Sequence, residues 1–188
     1  MKKNQLVYLT LCAMFAALTA VLSQIAVPLP GLIPINLALI ATFIAAGLLG
    51  WLHGTVSQIV FVLLGAIGLP VFTGGKSGIG AILGPTGGFI VGYILCALAI
   101  GLAADLLGRK WYVLAPAMIL GLALCYTTGT LWFVFQQHTS VQAALTACVY
   151  PFLIGDAIKI TLSTAFVTAL YPIFKKLTKT QSDKKRSV

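Results

Sequence analysis

Between Leu6 and Phe174 the chain carries six charged side chains: Lys76, Asp105, Arg109, Lys110, Asp156 and Lys159. Apolar runs on this scale leave few folds open. Over all 188 residues, 60% are hydrophobic and 8% charged, against about 25% charged in a soluble globular protein. In water such a chain would expose a large apolar area and aggregate. A bilayer removes that cost, and its interior forces every backbone N–H and C=O to find an internal partner, which helices do. The sequence therefore reads as an all-α membrane protein, a compact six-helix transmembrane bundle with no soluble domain.

About 20 apolar residues cross the hydrocarbon core. A first span covers Leu6–Val27 and stops at the breaker cluster Val27-Pro28-Leu29-Pro30-Gly31. That run is too long for the apolar part of a signal peptide, so it is kept as a helix. The stretch 35–69 is too long for one crossing and divides near Trp51-Leu52-His53-Gly54, giving short spans at 36–50 and 54–69. A non-helical segment from Pro70 to Pro85 follows. Three clearer spans come next, at 86–107, 112–135 and 151–174, with Gln136–Gln142 as a polar connection. The transmembrane domain takes in 1–178, and 179–188 is expected to be a disordered basic tail.

The net charge of +9 does not indicate nucleic acid as a partner. Ten of the twelve basic residues flank apolar runs: Lys2, Lys3, Arg109, Lys110, Lys175, Lys176, Lys179, Lys184, Lys185 and Arg186. Six crossings put both termini and the Arg109-Lys110 loop on one side, and the positive-inside rule makes that side cytoplasmic. The partner implied is the lipid bilayer of the cell membrane, with the tail able to meet anionic lipid.

Most chemistry can be set aside. Cys12, Cys96, Cys125 and Cys148 have neither metal-ligand nor redox spacing and read as packing residues. His53 and His138 stand alone, so no metal site is expected, and nothing points to a cofactor. Gly75-Lys76-Ser77 looks like the end of a phosphate-binding loop, but Pro70 stands where the first glycine is required. An intramembrane enzyme needs paired acids, a nucleophile with its base, or metal ligands; none is present, and the chain is not read as an enzyme. Asp105 and Arg109, four residues apart, read as a local surface pair.

Asp156 and Lys159 are different. In Pro151-Phe152-Leu153-Ile154-Gly155-Asp156-Ala157-Ile158-Lys159, Pro151 suits a helix start. Asp156 then lies about 7 Å and Lys159 about 12 Å below the outer helix end. They share a face, and ionisable groups at that depth normally face a polar cavity. A second constellation is glycine-rich: Gly68-Leu69-Pro70-Val71-Phe72, then Lys76 and Ser77, then Gly84-Pro85-Thr86-Gly87-Gly88-Phe89. Thr86 opens a helix whose free N–H groups are expected to point into the outer vestibule. Tyr93, two turns on, is a candidate cavity residue, while Trp132, Phe133 and Phe135 are expected at the membrane interface. On the first span Ala13/Ala17 and Ala16/Ala20 form two small-xxx-small pairs; pattern alone allows internal packing or a partner interface.

In their order and spacing, Gly68-Leu69-Pro70-Val71-Phe72, Gly84-Pro85-Thr86-Gly87-Gly88-Phe89 and Gly155-Asp156-Ala157-Ile158-Lys159 make the chain resemble, over essentially its whole length, the BioY family. These are the biotin-specific S components of energy-coupling factor (ECF) transporters. The resemblance implies six helices, a pocket open to the outside, and capture of biotin with Asp156 and Lys159 recognising it. It also implies that the alanine face of the first helix docks on a transmembrane T component coupled to two cytoplasmic ATP-binding subunits. An S component for another vitamin, such as thiamine or riboflavin, is the alternative, as is a stand-alone biotin transporter. The ligand chemistry fits: a ureido group offers two N–H donors to Asp156 and a carbonyl to Lys159. The ligand carboxylate is left to Lys76 or to the amides near Thr86, Gly87 and Gly88, and the reverse assignment, with Lys159 on the carboxylate, is physically allowed. The segments 28–35 and 70–84 are expected to close over the ligand.

Overall fold

The computed structural model describes residues 3–27 and 34–183. Its long elements are helical: α1 (Lys3–Gln24), α2 (Ala38–Ala66), α4 (Gly87–Leu107), α5 (Trp111–Gln137) and α7 (Leu153–Asp183). Short helices α3 (Gly78–Ile82) and α6 (Val141–Cys148) fall in connections. A minimal antiparallel pair, β1 (Ala26–Val27) with β2 (Ile35–Asn36), joins α1 to α2. Among the described residues, five helical stretches are long and apolar enough to cross a membrane. α2 packs between α1 and α4, α5 packs on α4, and α7 lies across α2 and α5.

Why these residues make this bundle follows from which side chains are hidden. Phe43, Phe61, Ile100, Leu114, Met118 and Val167 are fully buried. Leu9, Val21, Leu106, Leu131, Ile154, Ile158 and Leu162 point outward, where hydrocarbon rather than water meets them at no cost. A buried polar knot adds direction to the α1–α2 contact. The Gln58 amide donates to Thr19 Oγ1 at 3.3 Å and to Ser57 Oγ at 3.2 Å, and accepts from Thr42 Oγ1 at 3.1 Å. Interhelical hydrogen bonds of this kind supply the association that hydrophobicity cannot supply inside lipid.

The expected break in the second apolar stretch exists, one residue before the place anticipated. Gly50 has φ 79° and ψ −175°, a conformation side chains disfavour, and a Cβ there would fall 2.3 Å from Asp105 Oδ2. The helix axis therefore divides into arms at 38–49 and 51–66, and the break frees backbone groups inside the bundle. Asp105 Oδ2 accepts from the Trp51 N–H at 2.9 Å. Arg109 Nε donates to the Gly47 carbonyl at 2.7 Å. Asp105 and Arg109, expected as a surface pair, thus also act as side-chain caps for the two helix ends the glycine creates.

Other boundaries differ as well. α1 ends at Gln24 rather than Val27, because Ser23 and Gln24 turn their side chains onto the segment 70–75. Residues 28–33 of the expected closing segment 28–35 lie outside the described residues. Within the stretch expected to be non-helical, Gly78–Ile82 forms a helical turn. α6, an element the sequence reading lacks, follows a reversal at His138, which takes a left-handed conformation (φ 51°), and is capped by Ser140 Oγ accepting from the Ala143 N–H at 3.3 Å. Pro151 sits in a 3-10 turn, Tyr150–Phe152, just before α7. α7 then continues to Asp183, beyond the expected domain edge at 178.

Candidate ligand-binding site

The Asp156–Lys159 pair is inside the bundle. Asp156 is 1% and Lys159 5% exposed, and Lys159 Nζ lies 2.8 Å from Asp156 Oδ1. Each is held by a second group from another element. The Tyr126 hydroxyl of α5 donates to Asp156 Oδ2, and Lys159 Nζ donates to the Asn36 carbonyl at 2.8 Å. Removing two such ions from water costs several kcal/mol each, and the cost is recovered only with good geometry and extra hydrogen bonds. The arrangement meets that requirement while leaving capacity unused: an ammonium has three N–H donors, and each carboxylate oxygen has more than one lone pair.

That capacity faces a cavity. Asp156 and Lys159 line it together with Asn36, Tyr93, Tyr126 and Thr86. Leu39, Phe61, Phe72, Phe89, Ile90 and Phe152 supply the apolar wall, and Lys76 and Thr73 the approach. The atom-free space, counted with its open mouth, is ≈ 820 Å³. Aromatic and aliphatic walls with a few converging polar groups are the usual form of a small-molecule site. Asn36 links the polar groups. Its Nδ2 donates to Thr73 Oγ1 at 2.8 Å and to the Tyr93 hydroxyl at 3.3 Å, while its carbonyl holds Lys159.

Of the residues singled out from sequence, Asp156, Lys159, Tyr93, Thr86 and Lys76 come together on this wall; Ser77, Gly84, Gly87 and Gly88 are not part of it. Gly87 and Gly88 sit where neighbouring elements approach closely. A Cβ on Gly87 would fall 1.6 Å from the Ile82 carbonyl, and one on Gly88 2.3 Å from Trp132 Cβ. Gly84 accepts from Trp132 Nε1 at 2.9 Å, so Trp132 pins this turn to α5. The helix end expected to present free amides is already engaged at Gly87, whose N–H donates to the Gly84 carbonyl at 3.0 Å. Residues the sequence reading missed include Asn36, Tyr126 and Phe61. A polar residue beside the breaker cluster was the only available signal for Asn36, and Tyr126 had none that set it apart from other span aromatics.

The alanines divide. Ala16 is fully buried and Ala20 half-buried, whereas Ala13 and Ala17 face outward. All four cysteines are buried and free, and Cys125 and Cys148 reach the cavity wall. His53 stacks on Tyr8, with ring centroids 4.3 Å apart. Among the described residues no three His, Cys, Asp or Glu side chains gather to hold a metal ion.

Comparison with known proteins agrees with this picture. The sequence matches the BioY family over residues 1–176. The biotin transporter BioY2 of Lactococcus lactis subsp. cremoris is 36% identical over 170 residues, covering 90% of this chain and 93% of that protein. The biotin transporter BioY of Thermotoga maritima is 36% identical over 160 residues, with 83% and 90% covered. Among solved structures, the S-component for biotin from an ECF-type ABC transporter superposes with a TM-score of 0.83 at 31% identity, over 90% of this chain and 94% of that one. Five crossing-competent helices and relatives named as transporters, not enzymes, make this a multi-pass membrane protein. On sequence and fold alike, the chain belongs to the BioY family.

Proposed function

We propose that this chain is the substrate-capture subunit of a vitamin uptake system, taking biotin from the extracellular side of the plasma membrane. In this reading it passes biotin across the membrane with a T component and two ATP-binding subunits. The observation that carries the reading is the buried Asp156–Lys159 pair, with hydrogen-bonding capacity left over, on the wall of a largely apolar cavity. The names of the relatives and of the superposable structure support the same ligand and assembly. Counting the two arms of α2 as separate crossings gives six spans with both termini cytoplasmic, which the clustering of basic residues favours.

Each part of biotin has a partner. A ureido N–H donates to the Asp156 carboxylate, and Lys159 donates to the ureido carbonyl; both bonds are charge-assisted. The fused rings lie against Phe61, Phe72, Phe89 and Phe152. The chain's carboxylate reaches toward Lys76 at the mouth, with Thr86 and Tyr93 completing the wall. The amides of Gly84, Gly87 and Gly88 and the hydroxyl of Ser77, away from the cavity wall, drop out as direct contacts. Ala13 and Ala17, the outward pair on α1, form the face for the T component, while Ala16 and Ala20 serve internal packing.

Tritiated-biotin binding to the purified chain in detergent, with lipoate and thiamine as competitors, tests the ligand directly. Asp156→Asn removes the charge of the acceptor and weakens binding by about 1.5–3 kcal/mol. Unchanged affinity in that variant removes Asp156 from the site, and the absence of saturable binding of labelled biotin to the folded chain overturns the choice of vitamin.

A further inference from the structure

The segment 70–76 supplies Phe72, Thr73 and Lys76 to the cavity wall, yet within its own sequence it is held by little more than one bridge, the Phe72 N–H to the Lys76 carbonyl at 3.1 Å. It turns through Gly74 and Gly75, both at positive φ. Apart from Asn36 Nδ2 on Thr73 Oγ1 at 2.8 Å, what fixes its backbone comes from the last turn of α1. Gln24 Nε2 donates to the Phe72 carbonyl at 3.0 Å and to the Pro70 carbonyl at 3.3 Å. Gln24 Oε1 accepts from the Gly75 N–H at 3.0 Å. The neighbouring Ser23 hydroxyl donates to the Val71 carbonyl and lies 3.1 Å from Gln24 Nε2. One primary amide thus spans the turn on both its donor and acceptor sides, as a paired strand would. The ring of Phe72, buried to 3%, is thereby set edge-on against Phe61, with centroids 5.6 Å apart.

We propose that Gln24 is the positioning residue for this wall segment, a latch that sets how long the ligand stays rather than a group that touches it. The Gln24 side chain is absent from the cavity lining; it acts on backbone, through Phe72, Thr73 and Lys76. The proposal rests on the biotin reading only for the identity of the ligand. Loss of Gln24 frees the segment and opens the mouth, so dissociation quickens while encounter, limited by diffusion to an open mouth, does not slow.

The test pairs kinetics with spectroscopy. In Gln24→Ala the dissociation rate of biotin rises about tenfold with the association rate within twofold. A nitroxide on Ser77→Cys, with the parent protein as background control for its buried cysteines, shows a narrowed, more mobile line shape when Gln24→Ala is added, in the presence or absence of biotin. Gln24→Glu keeps the acceptor for Gly75 but loses both amide donations, and gives the same two changes; it carries the test if Gln24→Ala does not purify folded. An unchanged line shape and dissociation rate in a folded variant overturns the latch. Failure of the parent protein to bind biotin instead overturns the ligand assignment, and the line shape still decides the latch.

Discussion

Two ion pairs among the described residues, each formed between side chains one helical turn apart, do opposite things. Asp105–Arg109, at 2.5 Å, spends itself on the protein. Asp105 caps Trp51, and Arg109 reaches the carbonyls of Gly47 and Ala104 and sits 4.5 Å over the Tyr171 ring. Its polar atoms are directed at helix ends that Gly50 leaves open. Asp156–Lys159, at 2.8 Å, has one supporting bond on each side and a cavity in front. Depth already separates them, since Asp156 and Lys159 are buried whereas Asp105 is exposed. Unspent hydrogen-bonding capacity facing a cavity separates them further, and on the proposed function it is what a ligand would use.

The largest effect that tests this contrast is expected at Lys159→Met. Removing one partner leaves Asp156 buried without compensation, a change that costs about 3–5 kcal/mol in buried pairs. The apparent unfolding temperature in detergent should drop, and biotin binding should disappear. A variant that melts like the parent and still binds would show that the pair is neither structural glue nor ligand contact.

Arg109→Ala sharpens the contrast from the other side. It strips the Gly47 and Ala104 carbonyls of a donor and removes the cation from the Tyr171 ring. The expected loss is about 2 kcal/mol of stability, read as a lowered melting temperature. Biotin affinity should stay within twofold, because the pair lies at the other end of α7 from Asp156. A large loss of affinity without a change in melting would mean that the two pairs are coupled and that Arg109 is more than structural.

The pair at 156 and 159 was legible in the sequence because a charge inside an apolar run is costly wherever it lies, so spacing on one helix was enough. The break near residue 50 was legible from length, since 35 apolar residues exceed one crossing; its position was displaced by a residue because Gly50, not the Trp51–Gly54 cluster, takes the positive φ. What stayed hidden depends on contacts between distant segments. Asn36 reaches Lys159 across 123 positions, and Gln24 reaches Gly75 across 51; no local pattern encodes either. The glycines at 87 and 88 look the same in sequence whether a ligand or Trp132 approaches them, and only the packing of α4 on α5 tells which. α6 was hidden for another reason, since its eight residues are too few to cross a membrane and fall between the polar connection at 136–142 and the span beginning at 151.

The smallest effect is the most discriminating. Tyr126 and Tyr171 each place a hydroxyl beside one of the two pairs, at Asp156 and at Arg109. Tyr126→Phe keeps the ring on the cavity wall and removes one donor to the carboxylate, so Asp156 Oδ2 loses its support and its orientation. The expected cost is about 1 kcal/mol, roughly a fivefold weaker affinity for biotin, with melting little changed. Tyr171→Phe removes a hydroxyl from the pair already spent on backbone, and biotin binding should not respond. Measured side by side, equal responses would mean that hydroxyls near either pair merely tune the fold. Tighter binding in Tyr126→Phe would mean that the freed oxygen takes a ligand N–H more readily than it takes the phenol, which makes Tyr126 a competitor of the ligand and not its support.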